Sequence, residues 1–243
     1  MFIERIFWSL RKLTPIKVKG LVLYIGLDEN IHPRADIIFE PSNKFTEKNT
    51  AFQKKLVRGN LSRLPFKDNV FDYVILSNII DFYDRPDELL HELARISRKG
   101  YIESANAILE RIYPHPKRKY EILSAKNKLI LNRKKNPIND EFLFSANIVK
   151  DDCNWRKVYK NYPKLFHIRF FWEDCVDFKI LNFNSNHNYS EDALNLDLKR
   201  KINKSNSFTL KGLVYLFFEI FYFFGRKKRF QEYGTEVINL PNS

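Results

Sequence analysis

The chain has 243 residues, a formal net charge of +13 and 44% hydrophobic residues. That is enough apolar content for one medium domain with appendages and too much for wholesale disorder. The positive balance favours an anionic partner, nucleic acid or acidic lipid, with general solubility as the alternative. Two cysteines, Cys153 and Cys175, without CxxC or Cys/His spacing, rule out a disulfide framework and argue against a structural zinc.

In MFIERIFWSLRKL the apolar residues Ile3, Ile6, Phe7, Leu10 and Leu13 recur at helical spacing. This segment is too charged for a signal-peptide core and reads as a surface helix, so cytoplasmic residence is expected. Beyond it, VLYIGLDENIHPRADIIFE has the punctuation of a βαβ unit: an apolar run into Gly26, a polar turn, and a second run ending on Glu40. Strands are expected at Leu21–Ile25, Asp36–Phe39, Lys55–Val57, Tyr73–Leu76 and Tyr101–Glu103. Asn43 to Gln53 is polar, with Phe45 and Phe52 as anchors, and reads as a loop or a short helix.

RPDELLHELARISRKG predicts a crossover helix. Pro86 suits its first turn, Asp87 and Glu88 its positive end, and Arg98 and Lys99 its negative end. Leu89, Leu90, Leu93 and Ile96 form the buried stripe, and Gly100 is expected to stop the helix. Tyr120 to Lys134 predicts a hairpin, a helix is expected near Trp155–Tyr159, and Leu165–Phe183 reads as an antiparallel strand pair. Asn184 to Ser207 reads as a polar linker.

In the stretch Leu213–Phe224, seven of twelve residues are aromatic, and Arg226, Lys227, Lys228 and Arg229 follow at once. As a helix that stretch is about 18 Å long at roughly 1.5 Å per residue, too short for a bilayer core of about 30 Å. It fits either a helix lying in an anionic membrane interface or a core or subunit contact. Further basic clusters stand at Lys117–Lys119, Arg133–Lys135 and Lys199–Lys201.

The fold class that follows is α/β: a Rossmann-like, doubly wound, mostly parallel sheet with an antiparallel C-terminal strand pair and a C-terminal aromatic-basic helix. The expected organisation is a helix at 1–18, a domain at 19–183 with a hairpin insertion at 107–150, a linker at 184–207, and an amphipathic helix and tail at 208–243. Ligands of such sheets bind beyond the carboxyl ends of the strands. The residues there are Gly26, Leu27 and Asp28, then Glu40, then Asn60 and Leu61, then Ser77 to Asp81, and finally Glu103 to Ala105. Glu40 can accept hydrogen bonds from both ribose hydroxyls of an adenosine. Its distance of fourteen residues from Gly26 and the acidic Asp28-Glu29 pair argue against a dinucleotide. An uncharged or cationic adenosyl ligand fits better.

LPFKDNVFDYVILSNIIDFYDRPDELLHELARISRKGYIES resembles the segment from the third loop to strand five of class I S-adenosylmethionine-dependent methyltransferases, nearest the type 11 branch. IGLDENIHPRAD resembles the first motif of a subgroup of that family. The resemblance implies S-adenosylmethionine as cofactor. It implies that Gly26 is the first glycine of the cofactor loop, Glu40 the ribose-binding acid, Asn60 the partner of the adenine amino group and Leu61 a backbone donor. Asp28 stands where a second glycine is usual, and Asn78, Asp81 and Phe82 replace the subgroup's histidine-rich pattern.

Candidates for a catalytic base are Asp81, Glu103 and His115, each with a bland alternative: a helix cap, a buried acceptor and a basic-surface loop residue. His32 and His91 read as loop and helix-surface residues. The first functional reading is a methyltransferase acting on a small-molecule, sugar or lipid-linked acceptor, peripheral to the inner face of a membrane through 208–230. The alternative is a binding or scaffold protein that keeps the fold without catalysis. A nucleic-acid methyltransferase ranks last, because no Asn-Pro-Pro-Tyr-like or Pro-Cys signature occurs.

Overall fold

The computed structural model describes residues 18–26, 31–41, 54–134 and 152–181, together with Tyr222, Gly225, Arg226 and Arg229. The expected N-terminal helix (apart from Val18), the connection at 43–53, the linker and most of 208–243 lie outside the described residues.

Four parallel strands come first: β1 (Val22–Gly26), β2 (Ile37–Glu40), β3 (Lys55–Arg58) and β4 (Tyr73–Ser77). Helix α1 (Pro86–Ile96) then crosses over to β5 (Lys99–Ala105), which runs parallel to β4. Every residue of β1, β2 and β4 is buried, as expected of parallel strands covered on both faces. Leu23, Ile25, Ile37, Phe39, Val74 and Leu76 share the larger core with the apolar face of α1. Val22, Tyr24, Ile38, Tyr73 and Ile75 belong to a second cluster on the other face.

Helix α1 carries Pro86 in its first turn, with Asp87 and Glu88 beside it, and buries Leu89, Leu90, Leu93 and Ile96. Its end differs from expectation. Ser97 already has extended backbone, its Oγ bonds to Lys99, and Gly100 lies within β5. Gly100 is small for a packing reason: a Cβ there would fall 2.5 Å from the Trp172 indole. Arg98 and Lys99 pair with Asp174 and Glu173 rather than with the helix end.

The segment after β5 contains α2 (Ala107–Ile112) and the expected hairpin, β6 (Tyr120–Ala125) with β7 (Lys128–Arg133). Its turn residues Lys126 and Asn127 both have positive φ, 49° and 59°, the backbone that a two-residue hairpin turn requires. Helices α3 (Cys153–Asn161) and α4 (Pro163–Phe166) lead into β8 (His167–Glu173), and β9 (Phe178–Leu181) follows.

Both strands predicted between Leu165 and Phe183 exist, but they do not pair with each other. β8 pairs antiparallel with β5 and closes a six-stranded sheet in the order β3-β2-β1-β4-β5-β8. β9 runs parallel to β7 in a three-stranded sheet, β6-β7-β9. Ile122, Leu129 and Leu131 of the smaller sheet are buried in the same core as the larger one.

Candidate functional site

The strand order turns back on itself at β1, which has β2 on one side and β4 on the other. In doubly wound sheets the ligand crevice opens at that switch point, beyond the carboxyl ends. Gly26 ends β1 opposite Ser77, the last residue of β4. A Cβ at Gly26 would fall 2.6 Å from Tyr24 Oη and 2.9 Å from the Ser77 carbonyl oxygen. Its φ is not positive, so glycine is required here by close approach and not by conformation. Leu27 and Asp28 lie outside the described residues.

Glu40 ends β2 with 1% exposure, and Arg58, its neighbour on β3, places Nε 3.7 Å from Oε2. Asn60 lies just beyond β3, but its Oδ1 accepts from both the Ser62 N–H and hydroxyl at 3.0 Å. The two lone pairs expected to serve an adenine amino group are thus already committed to a local turn. Leu61 is buried. After Ser77 the chain turns through Asn78 at φ 50°, a left-handed conformation that Asn adopts more readily than most residues. The Asn78 N–H donates to the Glu103 carbonyl at 2.8 Å and so ties the ends of β4 and β5 together.

The three candidate bases divide between the two faces of the sheet. Glu103 is buried, and its carboxylate accepts from the Tyr101 hydroxyl two residues earlier on the same face of β5. Asp81 lies toward the opposite face, near Ser104. It is 1% exposed, and Arg118 places Nε 2.6 Å from Oδ2 in an ion pair. Burial pushes the Asp81 carboxyl above its ordinary range, and Arg118 opposes that rise.

Arg118 also reaches buried Glu110 at 3.0 Å, and Lys134 binds the other oxygen of Glu110. The Asp81 carbonyl accepts from the N–H groups of Lys119 and Tyr120. Two carboxylates and two cations thereby join the loop after β4 to α2 and to the two open ends of the hairpin. His115 lies beside this cluster, with its ring 5.2 Å from that of Phe82. Its Nδ1 accepts from the Lys117 N–H at 3.2 Å, which places the proton of the neutral ring on Nε2, the wrong tautomer for a base acting there. Glu110, Arg118 and Lys134 are not legible as a set in the sequence, because they stand on α2, before β6 and after β7.

A second charge cluster stands at the amino-terminal end of the strands. Asp36 is fully buried and accepts from the Val22 N–H and from Arg34 at 2.6 Å. Arg229 binds its other oxygen through Nε at 3.0 Å and Nη2 at 2.6 Å, and Arg226 lies at 3.6 Å. Tyr222 is buried, with the Arg34 guanidinium 5.5 Å from its ring centre. Two cations of the basic run 226–229 therefore face a buried carboxylate. The spacing of Tyr222, Arg226 and Arg229 on one helical face was the available clue. His32, expected in a loop, is 5% exposed, and its Nδ1 accepts from the Arg34 N–H. His91 is exposed on α1, as expected.

Residues 35–102 match the family model for the Methyltransferase domain. The match bears out the resemblance read from the sequence and, with it, S-adenosylmethionine as the cofactor that this kind of domain takes. No curated protein matches the chain. Solved structures similar to it include an S-adenosylmethionine-dependent methyltransferase of Thermotoga maritima, a possible histamine N-methyltransferase. It is 27% identical over 46% of this chain and 59% of that one, with a TM-score of 0.36. Another is the Haemonchus contortus phosphoethanolamine N-methyltransferase 2 with phosphomonomethylethanolamine and S-adenosylhomocysteine. It is 17% identical over 43% of this chain and 29% of that one, with a TM-score of 0.35. The [4+2]-cyclase SpnF is 11% identical over 70% and 81%, with a TM-score of 0.41. The chain thus spans about three fifths of the first of these proteins.

Proposed function

We propose that this protein is an S-adenosylmethionine-dependent methyltransferase whose acceptor is a small molecule, a sugar or a lipid-linked group. The observation that carries the reading is the buried carboxylate of Glu40 at the carboxyl end of β2, within a segment matched by a methyltransferase domain. Bound beside it, the cofactor supplies a methyl group on a sulfonium. Glu40 suits both ribose hydroxyls as an acceptor, and Gly26 keeps the end of β1 free of any side chain. The ion cluster around Asp81 fixes the loop after β4, so its backbone presents a rigid wall to an acceptor. Methyl transfer depends chiefly on in-line positioning; an amine in its neutral form attacks without a base, whereas a sugar hydroxyl must give up its proton to one.

Calorimetric titration with S-adenosylmethionine and S-adenosylhomocysteine tests the reading. Micromolar binding by the wild type that Glu40→Gln loses supports it; no heat from a folded sample overturns it. A second reading, a binding protein without catalysis, draws on the engagement of Asp81 by Arg118, of Glu103 by Tyr101 and of His115 by Lys117. Cofactor binding without methyl transfer to any acceptor in a broad panel of amines, phenols, sugars and lipids would favour it.

A further inference from the structure

Seven large apolar side chains stand out as exposed among the described residues, and five of them cluster on α2, α3 and α4. They are Ile108 (48%), Ile112 (40%), Val158 (40%), Tyr162 (38%) and Leu165 (52%). Ile108 and Ile112 are one helical turn apart on α2, and Val158 and Tyr162 are likewise one turn apart at the end of α3. The three helices are held together underneath by Ala105, Leu109 and Phe166, with Trp155 and Tyr159 packed against them. No residue of α3 is fully buried, although its apolar positions are arranged on one face. An apolar surface concentrated in this way calls for an occupant, whereas scattered ones do not.

The charge around it identifies the occupant. Between Asp152 and Phe166, Arg156, Lys157, Lys160 and Lys164 are all exposed, and the only acid is Asp152, whose side chain caps α3. Exposed aliphatic and tyrosine side chains among four cations match an acyl–headgroup boundary with anionic lipid, where apolar groups enter and cations meet phosphates. The patch also adjoins the site. Asn106, three residues after Glu103, receives the chain of α4: its N–H donates to the Phe166 carbonyl and its side-chain amide to that of Leu165.

We propose that the α2–α3–α4 face docks on an anionic lipid bilayer and brings the carboxyl edge of β5 to the lipid surface. This goes beyond the cofactor reading and stands or falls separately from it. The surface is distinct from the segment 208–230, where Tyr222, Arg226 and Arg229 turn toward the domain.

Flotation of the full-length protein with phosphatidylcholine vesicles, with and without phosphatidylglycerol, tests the proposal. The expected result is binding only when phosphatidylglycerol is present. It should weaken at least tenfold in the double variant Ile108→Glu, Leu165→Glu. In Lys157→Ala, Lys160→Ala, Lys164→Ala the loss should be on the order of 100-fold, about fivefold per lysine. All these positions are exposed, and unchanged thermal melting would show that the variants fold. As a second readout, an environment-sensitive dye on exposed Cys153, with Cys175→Ser, should shift to the blue on anionic vesicles. Equal flotation of wild type and variants overturns the proposal, as does no flotation on anionic lipid. Self-association that Leu165→Glu abolishes, without vesicle binding, also overturns it and makes the patch a contact between copies. S-adenosylhomocysteine titration of the same samples separates this outcome from failure of the cofactor reading.

Discussion

Arg229 closes on Asp36 from 193 residues away, with Nε and Nη2 both on one carboxylate oxygen. The other oxygen of Asp36 holds Arg34 and the first N–H of β1. One buried acid therefore fastens the C-terminal region to the start of two central strands. Arg229→Met removes the fork but leaves Arg34 in place, and should cost about 1–3 kcal/mol. Asp36→Asn leaves buried guanidinium groups without that counter-charge and should cost about 3–5 kcal/mol. Urea denaturation of the full chain should show this order; equal losses would mean that the fork contributes as much as the whole cluster.

Glu40→Gln keeps the volume of a residue whose ion-pair partner, Arg58, has a half-exposed side chain. Stability should change little. Affinity for S-adenosylhomocysteine should fall roughly 10- to 100-fold, the loss of about 1.5–3 kcal/mol expected for hydrogen bonds to a charged acceptor. Titration calorimetry paired with a thermal melt separates these two quantities.

Arg118→Met strands the buried carboxylate of Asp81, while Glu110 keeps Lys134, and should cost about 3–5 kcal/mol at neutral pH. Burial raises the Asp81 pKa in the folded protein, and losing Arg118 raises it further. A carboxyl of that kind binds its proton more tightly folded than unfolded, so its unfavourable contribution fades as pH falls through the folded pKa. The gap in melting temperature between variant and wild type should therefore narrow from neutral to mildly acidic pH. A constant gap would mean that packing, not charge, sets the loss.

Gly26→Ala and Gly100→Ala both force a methyl group into occupied space, and each should cost about 1–3 kcal/mol. Their effects on function should differ. Gly26 stands at the crevice, so its variant should also bind S-adenosylhomocysteine at least tenfold more weakly, whereas Gly100 presses on Trp172 and its variant should bind normally. Similar losses of affinity in both would point to a general loosening of the sheet.

The central strands and α1 could be read from the sequence because their signals are local: continuous apolar runs, a proline at a helix start, and a leucine stripe at helical spacing. Part of the family motif has a structural explanation. Arg95 of the Glu-Leu-Ala-Arg run binds Glu92, Asp68 and the carbonyls of Leu64 and Phe66, so it clips the Leu-Pro-Phe loop to the helix. What escaped the reading was partnership. Alternation marks β8 and β9 as strands without saying that one joins β5 and the other β7. Gly100 looks like a helix stop until Trp172 is seen above it. A basic run beside aromatics fits a membrane interface as well as a core or subunit contact, because nothing nearby in sequence announces a buried acid. At the site, the acid at the end of β2 was legible from its position, while the side-chain partners of Asn60, Asp81 and His115 became visible only in three dimensions.

The separation between Asp36 and Arg229 also sets a schedule for synthesis. A ribosome adds about 5–20 residues per second, so these 193 residues take roughly 10–40 seconds to make. Throughout that interval the sheet can begin to form with Asp36 matched only by Arg34. The nascent domain acquires its final tether late in translation, when Arg229 emerges and reaches the buried carboxylate of Asp36.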